Sequence, residues 1–354
     1  MQIRELNDAS AQAWDSFVHD QMRAGDPLRP KGHFFHLSGW SGVISKGAGQ
    51  RADYIYAEQD GSIVGVMPVI HRRSLLFGKG AHSIMFGVYG GPCAIDGAIE
   101  KALLDAAWQR AEKAGSPSLD VRLLSPLDHD PSPEWRAVTG SSTFIRPLAE
   151  DSEAELLAIP RKQRAVVRKA LKNNLMVERG RAVFDRFYSL YAISVRNLGT
   201  PVFPKKLLRL MMDAFGDRVD VLVVETPDGK PIASCMTFFS HTSVMPFYAG
   251  GLPEARHYGA HDFMYFDLMS EGRKRGLKTF DFGRSRNDSG PYKFKKNWGF
   301  DPIELPYYLR VAEGEAAPNL DAKSGKFAKA VEAWKKLPLP IANLIGPRLS
   351  RHLG

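Results

Sequence analysis

The sequence predicts an α+β protein built from two copies of one unit, each a mixed, mostly antiparallel sheet flanked by helices. Three observations carry this. A strand–turn–strand figure, residues 52–57, a tight turn at Asp60 and Gly61, and 63–70, returns far downstream as 219–225, a turn at Asp228 and Gly229, and 232–239. Each figure leads to a further strand, a helix and a short closing strand: 98–114 then 119–123 in the first copy, 260–274 then 279–282 in the second. The closing strands align as AGSPSLDV against RGLKTFDF, which puts Asp120 and Asp281 at equivalent places. A repeat of about 160 residues is too long for a solenoid and reads as a duplicated domain, and 354 residues is the length expected of about two domains. The expected organisation is a first unit at 1–150, a second at 151–310 carrying the functional cleft, and a basic amphipathic tail at 311–354.

Composition limits the function classes. A hydrophobic content of 44% with 25% charged residues is that of a globular chain with ample core, and excludes a disordered one. The helical N-terminal segment opens MQIRELNDASAQAWDSF, with acidic residues and no apolar run, so no secretory signal is expected; no stretch of about 18 apolar residues occurs. The expected location is the cytoplasm, with the tail offering a peripheral contact at the inner membrane. Cys93 and Cys235 are far apart, lack CxxC spacing and read as small buried hydrophobes. His241, His257 and His261 lack metal-ligand spacing, so no metal is expected. The net charge of +9 favours an anionic partner such as nucleic acid, a phosphorylated small molecule or an anionic membrane face.

Between the copies lies IPRKQRAVVRKALKNNL, which Pro160 opens as a helix. At 100° per residue Arg161, Arg164, Arg168 and Lys172 fall on one stripe, with Val166, Val167, Ala170 and Leu171 opposite. A solvated outer face and a phosphate site both fit that pattern, the second because Arg offers planar bidentate donors. Past residue 311 the run EGEAAPNLDAKSG is linker-like. The segment after it is basic and amphipathic, and Pro338, Pro340 and Pro347 are expected to break any long interfacial helix there, which favours docking on the body or partial disorder over lying on a membrane.

The stretch 278–300, KTFDFGRSRNDSGPYKFKKNWGF, is the centre of the functional reading. A short strand ends at Gly283, and a turn-rich loop follows that carries Arg284, Arg286, Lys293, Lys295 and Lys296 among Tyr292, Phe294, Trp298 and Phe300. Cations interleaved with rings at a strand end suit an anionic substrate; a solvated basic loop with rings packed on a core is the competing reading.

With these features in place, the chain resembles the FemAB family of bacterial transferases, which carry two tandem GNAT-like (acyl-CoA N-acyltransferase-like) domains. The resemblance spans roughly residues 30–310 and is closest in PRKQRAVVRKA, in FYAGG (247–251, with Tyr248), and in FDFG followed by YKFKKNWGF. With the tail, it looks most like the FemAB-related proteins of exopolysaccharide and exosortase (PEP-CTERM) loci. The resemblance implies transfer of an aminoacyl or acyl group, from aminoacyl-tRNA or an acyl-CoA, to a UDP-linked or lipid-linked cell-envelope or exopolysaccharide precursor. It implies no bound cofactor. Phe294 and Lys295 match the family's Phe-Lys motif, whose lysine is thought to stabilise charge in the transition state. Tyr89, Gly90, Gly91 and Pro92 fall where the family has a Gly-Pro turn lining its acceptor groove. The wider fold's acyl-CoA enzymes bind pyrophosphate on a Gly-rich loop at a helix N-terminus. Here Arg256, Gly259 and Ala260 imitate that loop, but His261 stands where a small residue belongs, which argues against ordinary acetyl-CoA.

Acyl transfer needs a proton acceptor and a stabiliser for an oxyanion. Lys295 is the candidate for the oxyanion and Asp281 for the base, although its repeat mate Asp120 also allows a shared turn-holding role. Tyr89, Arg164, Arg168, Tyr248, Arg284, Arg286, Tyr292, Phe294 and Trp298 are the candidate substrate contacts, with Arg164 and Arg168 expected to face the cleft beside 278–300. No covalent nucleophile motif is present. Two other readings stay open: a non-catalytic binder of RNA or anionic polymer, and a peripheral scaffold in a polysaccharide assembly.

Overall fold

The computed structural model describes residues 1–75, 77–316 and 325–353. Both hairpins form where alternation and turn chemistry place them. Arg51–Gln59 and Ser62–Ser74 pair antiparallel around Asp60 and Gly61, whose φ angles of 50° and 77° are what a two-residue hairpin turn demands and Asp-Gly supplies at low cost. In the second copy Val219–Glu225 and Pro231–Phe239 pair around a wider turn, closed by the Gly229 N–H on the Thr226 carbonyl at 2.8 Å.

The duplication is visible strand by strand. The first sheet runs Gln2–Glu5, Arg51–Gln59, Ser62–Ser74, Gly78–His82, Ser118–Val121, Tyr307–Val311, Trp135–Val138. The second runs Met176–Arg179, Val219–Glu225, Pro231–Phe239, Ser243–Gly251, Thr279–Asp281, Ile145–Pro147. Along each path every neighbouring pair is antiparallel except the fourth with the fifth strand, which are parallel and joined by a crossover helix, Gly97–Lys113 or Ala260–Lys274. The parallel registers correspond too: Ala81 lies opposite Leu119 and Val244 opposite Phe280, so Asp120 and Asp281 each follow the matched residue.

The sixth strand of each sheet comes from elsewhere in the chain. Ile145–Pro147, at the end of the first half, completes the second sheet, and Tyr307–Val311, after the second half, completes the first. The divisions drawn near 150 and 310 therefore do not coincide with the sheets; the two units exchange strands. A small third sheet of Ser285–Arg286, Ser141–Thr143 and Ile303–Glu304 sits where the exchanged segments pass.

Each half has its own core, Ile55, Val69, Leu103 and Leu119 in the first and Phe144, Val244, Phe280 and Trp298 in the second. A third, aromatic core joins them: Phe35, Trp40 and Tyr89 from one side pack with Phe187, Phe238 and Tyr248 from the other. Cys93 and Cys235 are both buried and unbonded, and burial pushes the Cys235 thiol up to about 12.

The tail folds back on the body. Gly325–Lys335 and Leu339–Ser350 are helices, and Ser350 is fully buried with its hydroxyl on the Val202 carbonyl at 2.8 Å. Pro338 and Pro340 start the second of these helices rather than break it, because a proline at the first turn gives up no hydrogen bond; Pro347 is accommodated inside it. Much of the linker-like run lies outside the described residues. Among the described residues no helix is long and apolar enough to cross a membrane.

Candidate active site

The site is built around the end of Thr279–Asp281. Phe280 points into the core of the second half, so by the two-residue period of a strand Thr279 and Asp281 point to the opposite face, toward the first half. There they line a narrow cleft of about 30 Å³ with Ser243, Met245, His33 and Phe34.

Asp281 is buried, and one of its carboxylate oxygens gathers three hydrogen bonds. Oδ1 accepts from the Gly283 N–H at 2.7 Å and from the hydroxyls of Thr143 and Tyr89, each at 3.3 Å. The Tyr89 and Thr143 hydroxyls are also bonded to each other. Burial pushes the Asp281 carboxyl up to about 6, against the pull of the Gly283 amide, the Lys295 ammonium and the two hydroxyls.

Lys295 approaches from the other side of the same glycine. Residues 290–297, expected as loop, are a helix, Gly290–Asn297: the Ser289 hydroxyl caps it by accepting from the Tyr292 N–H, and Pro291 lies in its first turn. The helix carries Lys295 inward, between the rings of Phe144 (5.5 Å from Nζ) and Phe282 (6.0 Å). Its ammonium donates to the Gly283 carbonyl at 2.8 Å and the Arg284 carbonyl at 3.3 Å, which leaves one of three N–H groups for a further acceptor. Burial pulls the Lys295 ammonium down to about 8, and Asp281 opposes that fall. Gly283 thus donates its N–H to the Asp281 carboxylate and accepts from the Lys295 ammonium on its carbonyl, at a φ of +67° that a side chain would strain.

The first copy has no such pair. Although burial favours its neutral form, Asp120 is held well below the usual carboxylate range by Arg122, 2.8 Å away, and by His82. It is a fixed anion in a salt bridge, whereas Asp281 titrates near neutrality.

The other predicted contacts separate into groups. Tyr89 joins the Asp281 network. Tyr292 packs edge-on against Phe144, and Arg284 and Arg286 are exposed on the rim, Arg284 lying over the Tyr307 ring at 5.7 Å and donating to the Ser141 hydroxyl. Phe294 and Trp298 pack on the second core, and the Trp298 indole N–H donates to Asp262 at 3.2 Å. Tyr248 is buried between the halves with its hydroxyl on the Phe86 carbonyl, so it serves packing. Arg164 and Arg168 differ most from expectation. The basic helix, Arg161–Leu171, does abut the turn at Gly299 through Pro160, but the Arg164 guanidinium donates to the carbonyls of Leu157 and Ile159 in the preceding helix turn, and Arg168 faces Glu153 at 3.8 Å. Its apolar side is narrower than the helical wheel implies: Val167 and Ala170 are buried, Val166 and Leu171 are 41% and 37% exposed.

That helix also covers the N-terminus of Ala260–Lys274. A Cβ on Gly259 would lie 2.9 Å from that of Ala170, and Asp262 occupies the first turn, accepting from Gln163 at 2.5 Å as well as from Trp298. His261 packs against Gly251, where a Cβ would approach its ring to 2.5 Å. The helix end that could cradle a pyrophosphate is therefore closed by protein groups.

Thr143 and His33 had no signal in the sequence. Thr143 reaches Asp281 only through the strand exchange. His33 reaches the cleft from the segment ahead of the first hairpin, its backbone N–H donating to His36 Nδ1 at 3.1 Å while His36 Nε2 donates to the Gly91 carbonyl at 2.8 Å. Among the described residues no group of three His, Cys, Asp or Glu side chains could hold a metal.

The acetyltransferase (GNAT) domain family matches residues 161–296, the segment that contains the crossover helix, Asp281 and Lys295. Residues 161–296 form a GNAT-type acyltransferase domain. Solved structures extend the likeness in fold to the whole transferase. FemX is 17% identical with a TM-score of 0.69, covering 88% of this chain and 98% of its own. The C-terminal domain of a putative lysylphosphatidylglycerol synthetase from Agrobacterium fabrum is 16% identical with a TM-score of 0.57, covering 93% and 95%. A tandem GNAT protein from the clavulanic acid biosynthesis pathway is 12% identical with a TM-score of 0.55, covering 89% and 99%. No curated protein matches the transferase.

Proposed function

We propose that the transferase moves an aminoacyl or acyl group onto an amine or hydroxyl of a cell-envelope or exopolysaccharide precursor in the cytoplasm. The observation that carries this is the Asp281–Lys295 pair held on opposite sides of Gly283. Near neutral pH Asp281 is ionised and can accept the proton of the attacking nucleophile, while Lys295 is still an ammonium. As the nucleophile adds to the acyl carbonyl, the oxygen gains negative charge and accepts a hydrogen bond from the remaining Lys295 N–H, in a buried site where such a bond is strong. Collapse expels the donor's oxygen or sulfur, and the proton held by Asp281 goes to that leaving group. Tyr89 and Thr143 orient the carboxylate, and Arg284, Arg286 and Tyr292 at the rim receive an anionic substrate.

An aminoacyl-tRNA donor fits better than an acyl-CoA. The helix end that would hold a pyrophosphate is closed, while Arg161, Lys162, Arg168, Lys169 and Lys172 stand exposed on the basic helix, where an RNA backbone can reach them. The likeness to FemX and to a putative lysylphosphatidylglycerol synthetase supports an envelope acceptor. The test offers the full chain aminoacyl-tRNA or acyl-CoA together with UDP-linked or lipid-linked precursors and follows the acceptor mass. Transfer from aminoacyl-tRNA supports the assignment. RNA binding with no transfer from any donor would replace it with a non-catalytic RNA binder.

A further inference from the structure

We propose that the outward face of the terminal helix, Leu339–Ser350, is a docking surface for an anionic lipid bilayer. The helix has two unlike sides. At 100° per residue Ala342, Gly346 and Ser350 form one stripe, all buried; Gly346 lets the helix approach Val202, whose backbone nitrogen would lie 3.1 Å from an added Cβ. Ile341, Leu344, Ile345 and Arg348 form a second stripe pointing away from the body. Its apolar members are 43%, 64% and 38% exposed in that order, and Leu353 just beyond is 42% exposed. Folding has used the small residues for attachment and left the large apolar ones in water, the reverse of what stability alone selects.

Charge identifies the occupant. Lys336, Arg348 and Arg351 are exposed around the stripe, and no acidic residue follows Glu332 in the sequence. A short helix with an apolar outer stripe, basic flanks and no acid is what lies in the headgroup region of an anionic membrane. Three or four side chains are too few for a second copy of the chain, since a stable dimer needs ~800 Å² from each partner.

Flotation of the full chain with vesicles tests this. Wild type is expected to float with phosphatidylcholine vesicles containing phosphatidylglycerol, less so as salt rises, and not with phosphatidylcholine alone. Leu344→Glu with Ile345→Glu should lower the bound fraction by about tenfold or more, since burying each side chain is the driving term. Arg348→Glu with Arg351→Glu should weaken binding to anionic vesicles by about tenfold. Both pairs are exposed, so the melting temperature should not move. Absence of wild-type binding, equal binding by the apolar variant, or a concentration-dependent dimer that Leu344→Glu dissolves would each overturn the proposal.

Discussion

Asp281→Asn should make the protein more stable at neutral pH while destroying its activity. The folded carboxyl titrates at about 6, against 3.8 for the ordinary group. Between those values the folded state holds a proton that the unfolded state has released, so stability falls as pH rises through the interval. Above it, the ionised Asp281 costs about 3 kcal/mol, at 1.36 kcal/mol for each factor of ten in the proton equilibrium. Asparagine mimics the protonated acid: its Oδ1 can still accept from Gly283, Thr143 and Tyr89, and its amide takes the place of the second oxygen. The variant should therefore match wild type near pH 4 and exceed it by about 3 kcal/mol at pH 7.5, or roughly 4 °C in Tm for a chain of this size. Denaturant midpoints measured at intervals from pH 4.5 to 8 give the whole curve. A variant equal to or less stable than wild type at pH 7.5 would show that the folded state favours the ionised carboxylate, and the argument for a base poised near neutrality would fail.

The remaining predictions concern the partners of that carboxyl. Lys295→Met, which keeps the stem between Phe144 and Phe282, should lower kcat by about a hundredfold with KM little changed, the usual loss for one oxyanion donor, and Lys295→Arg should not restore it because a planar guanidinium cannot enter the same space; unchanged kcat in the Met variant removes lysine from the chemistry. The rate should be bell-shaped in pH, falling below about 6 as Asp281 takes up a proton and above about 8 as Lys295 loses one; a flat profile between pH 5 and 9 contradicts both assignments. Tyr89→Phe removes a bond that favours the ionised carboxylate, so the acid limb should move to higher pH with about 1 kcal/mol lost in stability, and a stability loss without that movement would make Tyr89 purely structural. Glu155 is fully buried against Arg146 of the exchanged strand and Arg273 of the crossover helix, so Glu155→Ala should cost about 3–5 kcal/mol by stranding two guanidinium groups; a loss under 1 kcal/mol in a melting experiment refutes this.

The duplicated hairpins were legible because Asp-Gly turns and two-residue alternation are local signals, and Asp281 and Lys295 stood out because each lies in a distinctive motif. Exchange was not legible. Ile145–Pro147 is three residues long, too short for any periodicity, and its partner is set by geometry more than a hundred positions away. Thr143 rides with it, so a hydrogen-bond partner of Asp281 sits in the undistinguished run SSTF. The helix Gly290–Asn297 did carry a start signal in Ser289 and Pro291, masked by the density of charge around it. The basic helix shows the limit of a helical wheel: periodicity placed Arg164 and Arg168 on one side, but which acceptor a long flexible side chain finds depends on neighbours the wheel does not contain.

The strand exchange also imposes an order on synthesis. When Ser118–Val121 leaves the ribosome its antiparallel neighbour, Tyr307–Val311, is still to be made, and by the matching rule the second sheet waits for nothing, since Ile145–Pro147 is already present. At 5–20 residues per second the first sheet keeps an open edge for on the order of ten to forty seconds. During that time the C-terminal half can close around a strand borrowed from its predecessor, while the N-terminal half remains a nascent structure with exposed backbone donors and acceptors, the state most open to wrong pairing with another chain. A strand translated after every strand of the second sheet thus finishes the first.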